Sequence, residues 1–315
     1  MILSPRSLLY ARLALRSLFE NCVEDFHLSL ITDSRDDALR LSSELSELAD
    51  IEKRAKRTAK VYAASDLMGP ALNRFAMHRH IQEFRLGHPC WRKITDPILL
   101  SEDRDEMIVL DPDIYFPNRF CFEPTAPKGV FLMWQRPSCL LPDEVVQKAI
   151  DAKILLAHHT DIGVAQWRLP VDLDWLDWLI GQLGSSQLPR SMHVESIVWA
   201  ALAMRIGGGH LDPAKWVCWH RTQYKRALMK LGVTGASILR REPFCKMKCF
   251  HAGGEAKWWL TRTQALGILD RGGRDITTES EFRSYQELKP AEYYSLQRNR
   301  RLLRKVGYYS LFGGA

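Results

Sequence analysis

The chain has 315 residues, 46% of them hydrophobic, and a formal net charge of +7. This is globular composition with enough apolar residues for a sizeable core, in one large domain or two small ones, and no internal repeat or low-complexity linker interrupts it. The moderate positive charge favours an anionic partner without choosing among nucleotides, nucleic acid and an anionic membrane.

The N-terminal stretch "MILSPRSLLYARLALRSLFENC" has Arg6, Arg12 and Arg16 among its apolar positions, which breaks any continuous signal-peptide core. No run of about 18 or more apolar residues follows, so a transmembrane helix is not expected. Leu8, Leu9, Leu13, Leu15 and Leu18 recur at helical spacing behind Pro5 and predict an amphipathic helix from Pro5 to Asn21. "FHLSLIT" alternates as a strand from Phe26 to Thr32, and Asp33 and Ser34 can cap a helix running toward Leu48. "AKVYAA" (Ala59 to Ala64) reads as a second strand, followed by a helical stretch from Pro70 to Phe84. "CWRKITDPILL" begins another helix, which Pro97 limits or kinks. Met107 to Leu110 and Gly129 to Gln135 are short buried strands. Strands alternating with helices predict an α/β fold with parallel strands at least in the first half.

The second half is more irregular. "HHTDIGVAQWRLP" joins a polar loop to a strand, and "LDWLDWLIGQL" is a helix. "MHVESIVWAALAMRI" is a strong helix with Ser191 as its cap, "WVCWH" a strand, and "CKMKCFHAGGEAKWW" a strand, a glycine turn and a tryptophan pair. The seven cysteines are odd in number and scattered, which fits free thiols in a reducing, cytoplasmic setting. Cys245, Cys249 and His251 cluster, but a second half with zinc spacing is missing. Between Arg283 and Lys305 seven basic residues stand against two acidic ones on a helical pattern. That segment is either a solvated surface helix or a basic amphipathic helix on another acidic partner or on an anionic membrane, there peripheral at the inner face.

The chemistry centres on "IVLDPDIYFP". Asp111 and Asp113 follow an apolar strand, and in α/β sheets ligands sit at the carboxyl ends of strands. Carboxylates beside a core need a positive partner, and two at i and i+2 can face one hard cation such as Mn2+ or Mg2+; otherwise the pair caps a turn. His251 can add a nitrogen ligand. Gly253 and Gly254 allow backbone amides near an anion, and Lys257 can meet a phosphate. Glu195 shares a helix face with Val198, Trp199 and Leu202, so its carboxylate points into a cleft or simply complements the helix dipole. Asp161 is a turn aspartate or a hydrogen-bond partner for sugar hydroxyls. Arg92 and Lys93 steer a diphosphate or are solvated.

In their order along the chain these motifs resemble a nucleotide-sugar glycosyltransferase of the GT-A fold, of the glycogenin-like family 8 type. The resemblance covers Leu8 to Trp259 and implies a Rossmann-type mixed sheet flanked by helices. The catalytic domain would span 1–275, with a basic helical extension over 276–315. It implies that Asp111, Asp113 and His251 bind the metal, and that Lys257 contacts the donor diphosphate, with a UDP-sugar the leading donor. Asp161 and Glu195 would touch the donor sugar, and Lys93 or Arg92 would lie near the donor. The acceptor would be a glycan or a lipid-linked molecule, and the likeness leans toward retention. The sequence departs from the family pattern by carrying Asp161 where the family has asparagine and by lacking the proline of the last motif. The family also opens with a strand, and Met1 to Ser4 is too short for one, so the biological start is expected upstream of Met1. Two other functions compete. A phosphohydrolase or nuclease would need further carboxylates for a second metal. A nucleic-acid-binding protein would use the basic helix, although tryptophans without interleaved basic residues favour sugar stacking.

Overall fold

A computed structural model describes residues 1–49, 56–102, 105–168, 170–264, 266, 267, 269 and 272–308. Ser4 accepts a hydrogen bond from the Arg6 amide and opens a 3-10 turn over Pro5–Ser7, from which helix α1 (Leu8–Asn21) continues. Ala11, Ala14, Leu15 and Leu18 bury one stripe of it, the i, i+3, i+4, i+7 spacing read in the sequence. Strand β1 (Phe26–Thr32), helix α2 (Arg35–Ala49) and strand β2 (Arg57–Ala63) form a βαβ unit with the two strands parallel. Ile2 bridges Ile31 in parallel on the opposite edge of β1.

The helical stretch expected from Pro70 to Phe84 is two helices, α3 (Met68–Arg74) and α4 (Arg79–Arg85). Phe75 between them is fully buried, and the Gln82 side-chain amide donates to its carbonyl at 2.6 Å, so core anchoring bends the chain there. Helix α5 (Arg92–Leu100) contains Pro97 rather than ending at it. Strands β3 (Glu106–Leu110), β4 (Ile114–Tyr115), β5 (Arg119–Phe120) and β6 (Val130–Trp134) follow, then helix α6 (Asp143–Asp151) and strand β7 (Thr160–Arg168). Helices α7 (Leu173–Leu183) and α8 (Val194–Ile206) lead to strands β8 (Gly208–His210) and β9 (Trp216–Cys218). Helices α9 (Gln223–Lys230) and α10 (Gly235–Leu239), strand β10 (Cys249–His251), helix α11 (Ala256–Gln264), strand β11 (Asp275–Ile276) and helix α12 (Pro290–Lys305) complete the chain.

The architecture is mixed α/β. The main sheet has the order β3-β7-β6-β8, with β7 antiparallel to both neighbours and β8 parallel to β6. A smaller sheet, β4-β10-β9, joins the Asp-x-Asp turn to the His251 strand. Helix α8 is buried almost all round, as its continuous apolar composition requires, and Trp199 on it meets Trp167 of β7 with ring centroids 4.7 Å apart. Residues beyond β11 are tied into this body: Arg283 bridges His210, Glu287 bridges Ala157, and Leu288 and Tyr293 enter the core. Among the described residues no helix is long and apolar enough to cross a membrane.

Candidate metal centre

Backbone hydrogen bonds clamp three segments together before any side chain is considered. The Asp111 amide donates to the Gly163 carbonyl at 2.9 Å, and the Ala252 amide donates to the Asp113 carbonyl at 2.8 Å. The first bond continues the β3–β7 ladder, and the second extends the β4–β10 pairing, in which Ile114 opposes His251. Asp111, Asp113, Asp161 and His251 are thereby fixed around one point.

His251 is buried and faces two ways. Its Nε2 lies 3.3 Å from Asp113 Oδ1 and 3.7 Å from Asp111 Oδ2. Its Nδ1 lies 2.8 Å from Asp161 Oδ1 and 3.7 Å from the Cys218 thiol. Burial disfavours the imidazolium, but the Asp161 and Asp113 carboxylates outweigh it and hold His251 well above its ordinary value. Burial likewise opposes ionisation of Asp113, yet His251 and Lys257 hold that carboxyl below the usual range. Asp161 is also held low against burial, by His251 and by the Gly163 amide, which donates to Oδ1 at 3.0 Å. Gly163 is required here: a Cβ on it would stand 2.5 Å from His251 Nδ1.

A second group lies behind Asp111. Lys93 is only 4% exposed; its Nζ is 2.8 Å from Glu195 Oε1 and forms an ion pair with Asp111. Burial opposes the charge on Lys93, but Asp111 and Glu195 raise its affinity for the proton. Burial pushes Glu195 up to about 8, with Lys93 opposing and Asp111 reinforcing the shift. Burial raises Asp111 as well, against Lys93, so the three groups titrate together. Glu195 Oε2 is buried without a hydrogen-bond partner among the described residues.

Lys257, in the first turn of α11, reaches Asp113 Oδ2 at 3.2 Å and lies over the Tyr10 ring. Arg92 turns away from the carboxylates and pairs with Asp33 at 2.8 Å. Gly254 takes a left-handed φ of +64°, and with Gly253 it forms the turn into α11; neither lies within 4 Å of an acidic group in the direction of a Cβ. Trp258 and Trp259 stand on α11.

Several sequence expectations are revised. Asp161 lies within β7, not in a turn before it, and its carboxylate is engaged with His251. Lys93 is buried rather than solvated, with Asp111 and Glu195 as its partners. Helix α8 begins after His193, and the Ser191 hydroxyl accepts from the His193 amide instead of capping the helix. Cys218 and Gly163 also belong to the site; the Asp-x-Gly spacing in "TDIG" is the sequence signal for Gly163, and Cys218 has none. Cys245 and Cys249 take no part in either potential ligand cluster found among the described residues.

Those clusters are Asp111–Asp113–His251 and Asp161–Cys218–His251, each with its ligand atoms within 4.8 Å of one another. Ligands bound at right angles to an ion of Mg2+ or Mn2+ size sit about 3 Å apart. The spacings around Nε2 need only small side-chain adjustments to reach that, and the oxygen and nitrogen set suits Mn2+ or Mg2+. In the other cluster burial keeps Cys218 a protonated thiol, a poor ligand. No family model matches the chain, and no match was found among the curated proteins.

Proposed function

We propose that the chain is a metal-dependent glycosyltransferase of the GT-A type, moving a sugar from a nucleoside diphosphate sugar, foremost a UDP-sugar, to a glycan or lipid-linked acceptor. The observation that carries this reading is the convergence of Asp111, Asp113 and His251 Nε2 at the carboxyl end of β3, with Lys257 beside them. A parallel βαβ unit followed by a mixed sheet supports the fold assignment.

Asp111, Asp113 and His251 would hold Mn2+ or Mg2+, which when bound neutralises charge on the leaving diphosphate as the glycosidic bond breaks. Lys257 adds a second positive charge at the same place. Asp161 accepts the Nδ1 proton of His251 and so orients Nε2 toward the two aspartates. Lys93 holds the Asp111 carboxylate. The resemblance would set Glu195 beside the donor sugar; its Oε2 is buried without a hydrogen-bond partner among the described residues. The two-metal phosphohydrolase reading is weaker, because the second cluster draws on the same His251 and offers one carboxylate.

The test is thermal stabilisation by a panel of nucleoside diphosphates with Mn2+, with Mg2+ and with chelator. One nucleotide should stabilise the chain only with metal, and Asp113→Ala should abolish the effect. Equal stabilisation in the presence of chelator would sink the proposal.

A further inference from the structure

His251 turns its second nitrogen to a second set of ligands. In the parallel pairing of β9 with β10, Cys218 stands opposite His251, and paired residues share a face of the sheet. The ring therefore meets the Cys218 thiol, with Nδ1 and Sγ 3.7 Å apart. Asp161 arrives from β7 and sets Oδ1 2.8 Å from the same nitrogen. These ligand atoms lie within 4.8 Å of one another and include none from Asp111 or Asp113.

The spacing fits a tetrahedral ion that favours sulfur. Bonds of about 2.3 Å to sulfur and about 2.0 Å to nitrogen, at the tetrahedral angle, set those two atoms about 3.5 Å apart. Nδ1 and Sγ are almost there, and Asp161 Oδ1 has only to back away by about half an ångström. Cys139, half-buried on the loop between β6 and α6, feels the charges of Asp161 and His251, so a further thiol stands near the fourth position. A hard ion such as Mn2+ or Mg2+ leaves the Cys218 proton in place, whereas a thiophilic ion displaces it.

We propose that Asp161, Cys218 and His251 Nδ1 form a site for a thiophilic divalent cation of the Zn2+ class, and that filling it closes the Asp111–Asp113 centre to metal. Binding releases the thiol proton and one proton of the His251 ring to solvent. The neutral imidazole that remains has one lone pair and one N–H. With the ion on Nδ1 the proton is on Nε2, which then donates to Asp113, 3.3 Å away, in place of holding a metal. One ring thus serves one ion or the other. The ligand set stands independently of the glycosyltransferase reading; only the competition rests on the Asp111 centre.

Cd2+ is the probe, because a thiolate bound to it gains an ultraviolet charge-transfer band. The full chain is loaded with Mn2+ and titrated to one equivalent of Cd2+, with free Mn2+ followed by electron spin resonance. The band should rise as Mn2+ is released. Cys218→Ser, checked for native circular dichroism, should lose the band. Asp113→Ala should keep it, an outcome that does not depend on whether the chain binds Mn2+. Asp161→Asn, which retains an acceptor for Nδ1 but not the charge, should weaken Cd2+ binding by about 10-fold or more. A band of unchanged strength in Cys218→Ser would overturn the site, because other thiols then take the ion. Loss of the band in Asp113→Ala would overturn it by placing the ion at the aspartates. Mn2+ retained beside a full band would overturn the competition.

Discussion

Asp161 Oδ1 and His251 Nδ1 meet at 2.8 Å inside the protein, where both residues are buried. The contact fixes which ring nitrogen is left for Asp111 and Asp113. Asp161→Ala should therefore weaken Mn2+ binding by about 10- to 100-fold. Asp161→Asn should recover most of it, because the amide oxygen still accepts from Nδ1. Mn2+ titration followed by thermal shift measures both. A loss under about twofold in the alanine variant would remove Asp161 from support of the site.

Lys93 should behave as a structural keystone. Lys93→Met leaves the buried Asp111 carboxylate with His251 Nε2, at 3.7 Å, as its remaining cationic neighbour and should cost about 3 kcal/mol in urea unfolding. Adding Glu195→Gln should recover none of that if Asp111 alone is responsible, and part of it if Glu195 is also charged in the variant. The double-mutant cycle separates the two, since residues in one ion-pair network do not add.

The raised affinity of Glu195 for its proton has a definite sign. Its carboxyl binds a proton up to about pH 8 in the folded chain but only to about 4.5 when unfolded. The folded state thus holds more protons between those values, so this contribution is fully present below about 4.5 and is lost as pH rises to about 8. Glu195→Gln should flatten that limb of the stability–pH curve measured with the metal chelated. An unchanged slope would mean that Glu195 is ionised throughout.

Helix α12 leaves Leu302 and Val306 exposed, at 60% and 65%, beside the exposed Arg298, Arg301 and Arg304. We expect it to bind vesicles of anionic lipid and not zwitterionic ones, consistent with a lipid-linked acceptor. Reversing Arg301 and Arg304 to Glu should reduce the bound fraction at least tenfold in vesicle sedimentation, since each basic residue near the surface contributes about 1 kcal/mol. Equal binding to both lipids would reject the electrostatic part.

The periodic elements are legible in the sequence because their apolar spacing is local: α1, β1, α7 and α8 fall within a few residues of expectation. Asp111, Asp113, His251 and Lys257 are named from their residue types and neighbours in sequence, and the structure brings the four together. What stays hidden depends on distant chain. "HHTDIG" is polar and reads as a loop, yet Thr160 and Asp161 are strand residues buried by contacts to Ala157 and His251. The break at Phe75 follows from a pocket in the core, not from any helix-breaking residue. Lys93 reads as a surface lysine until its two carboxyl partners, one of them 102 positions away, fold around it.

The Asp111 amide bonded to the Gly163 carbonyl makes the end of the β3–β7 ladder part of the chemistry. Any fraying of that sheet edge drags an aspartate away from His251, so the candidate metal centre and sheet integrity fail together rather than separately. The exchange rate of that single amide is then a gauge of how often the site is assembled, readable without substrate, product or metal.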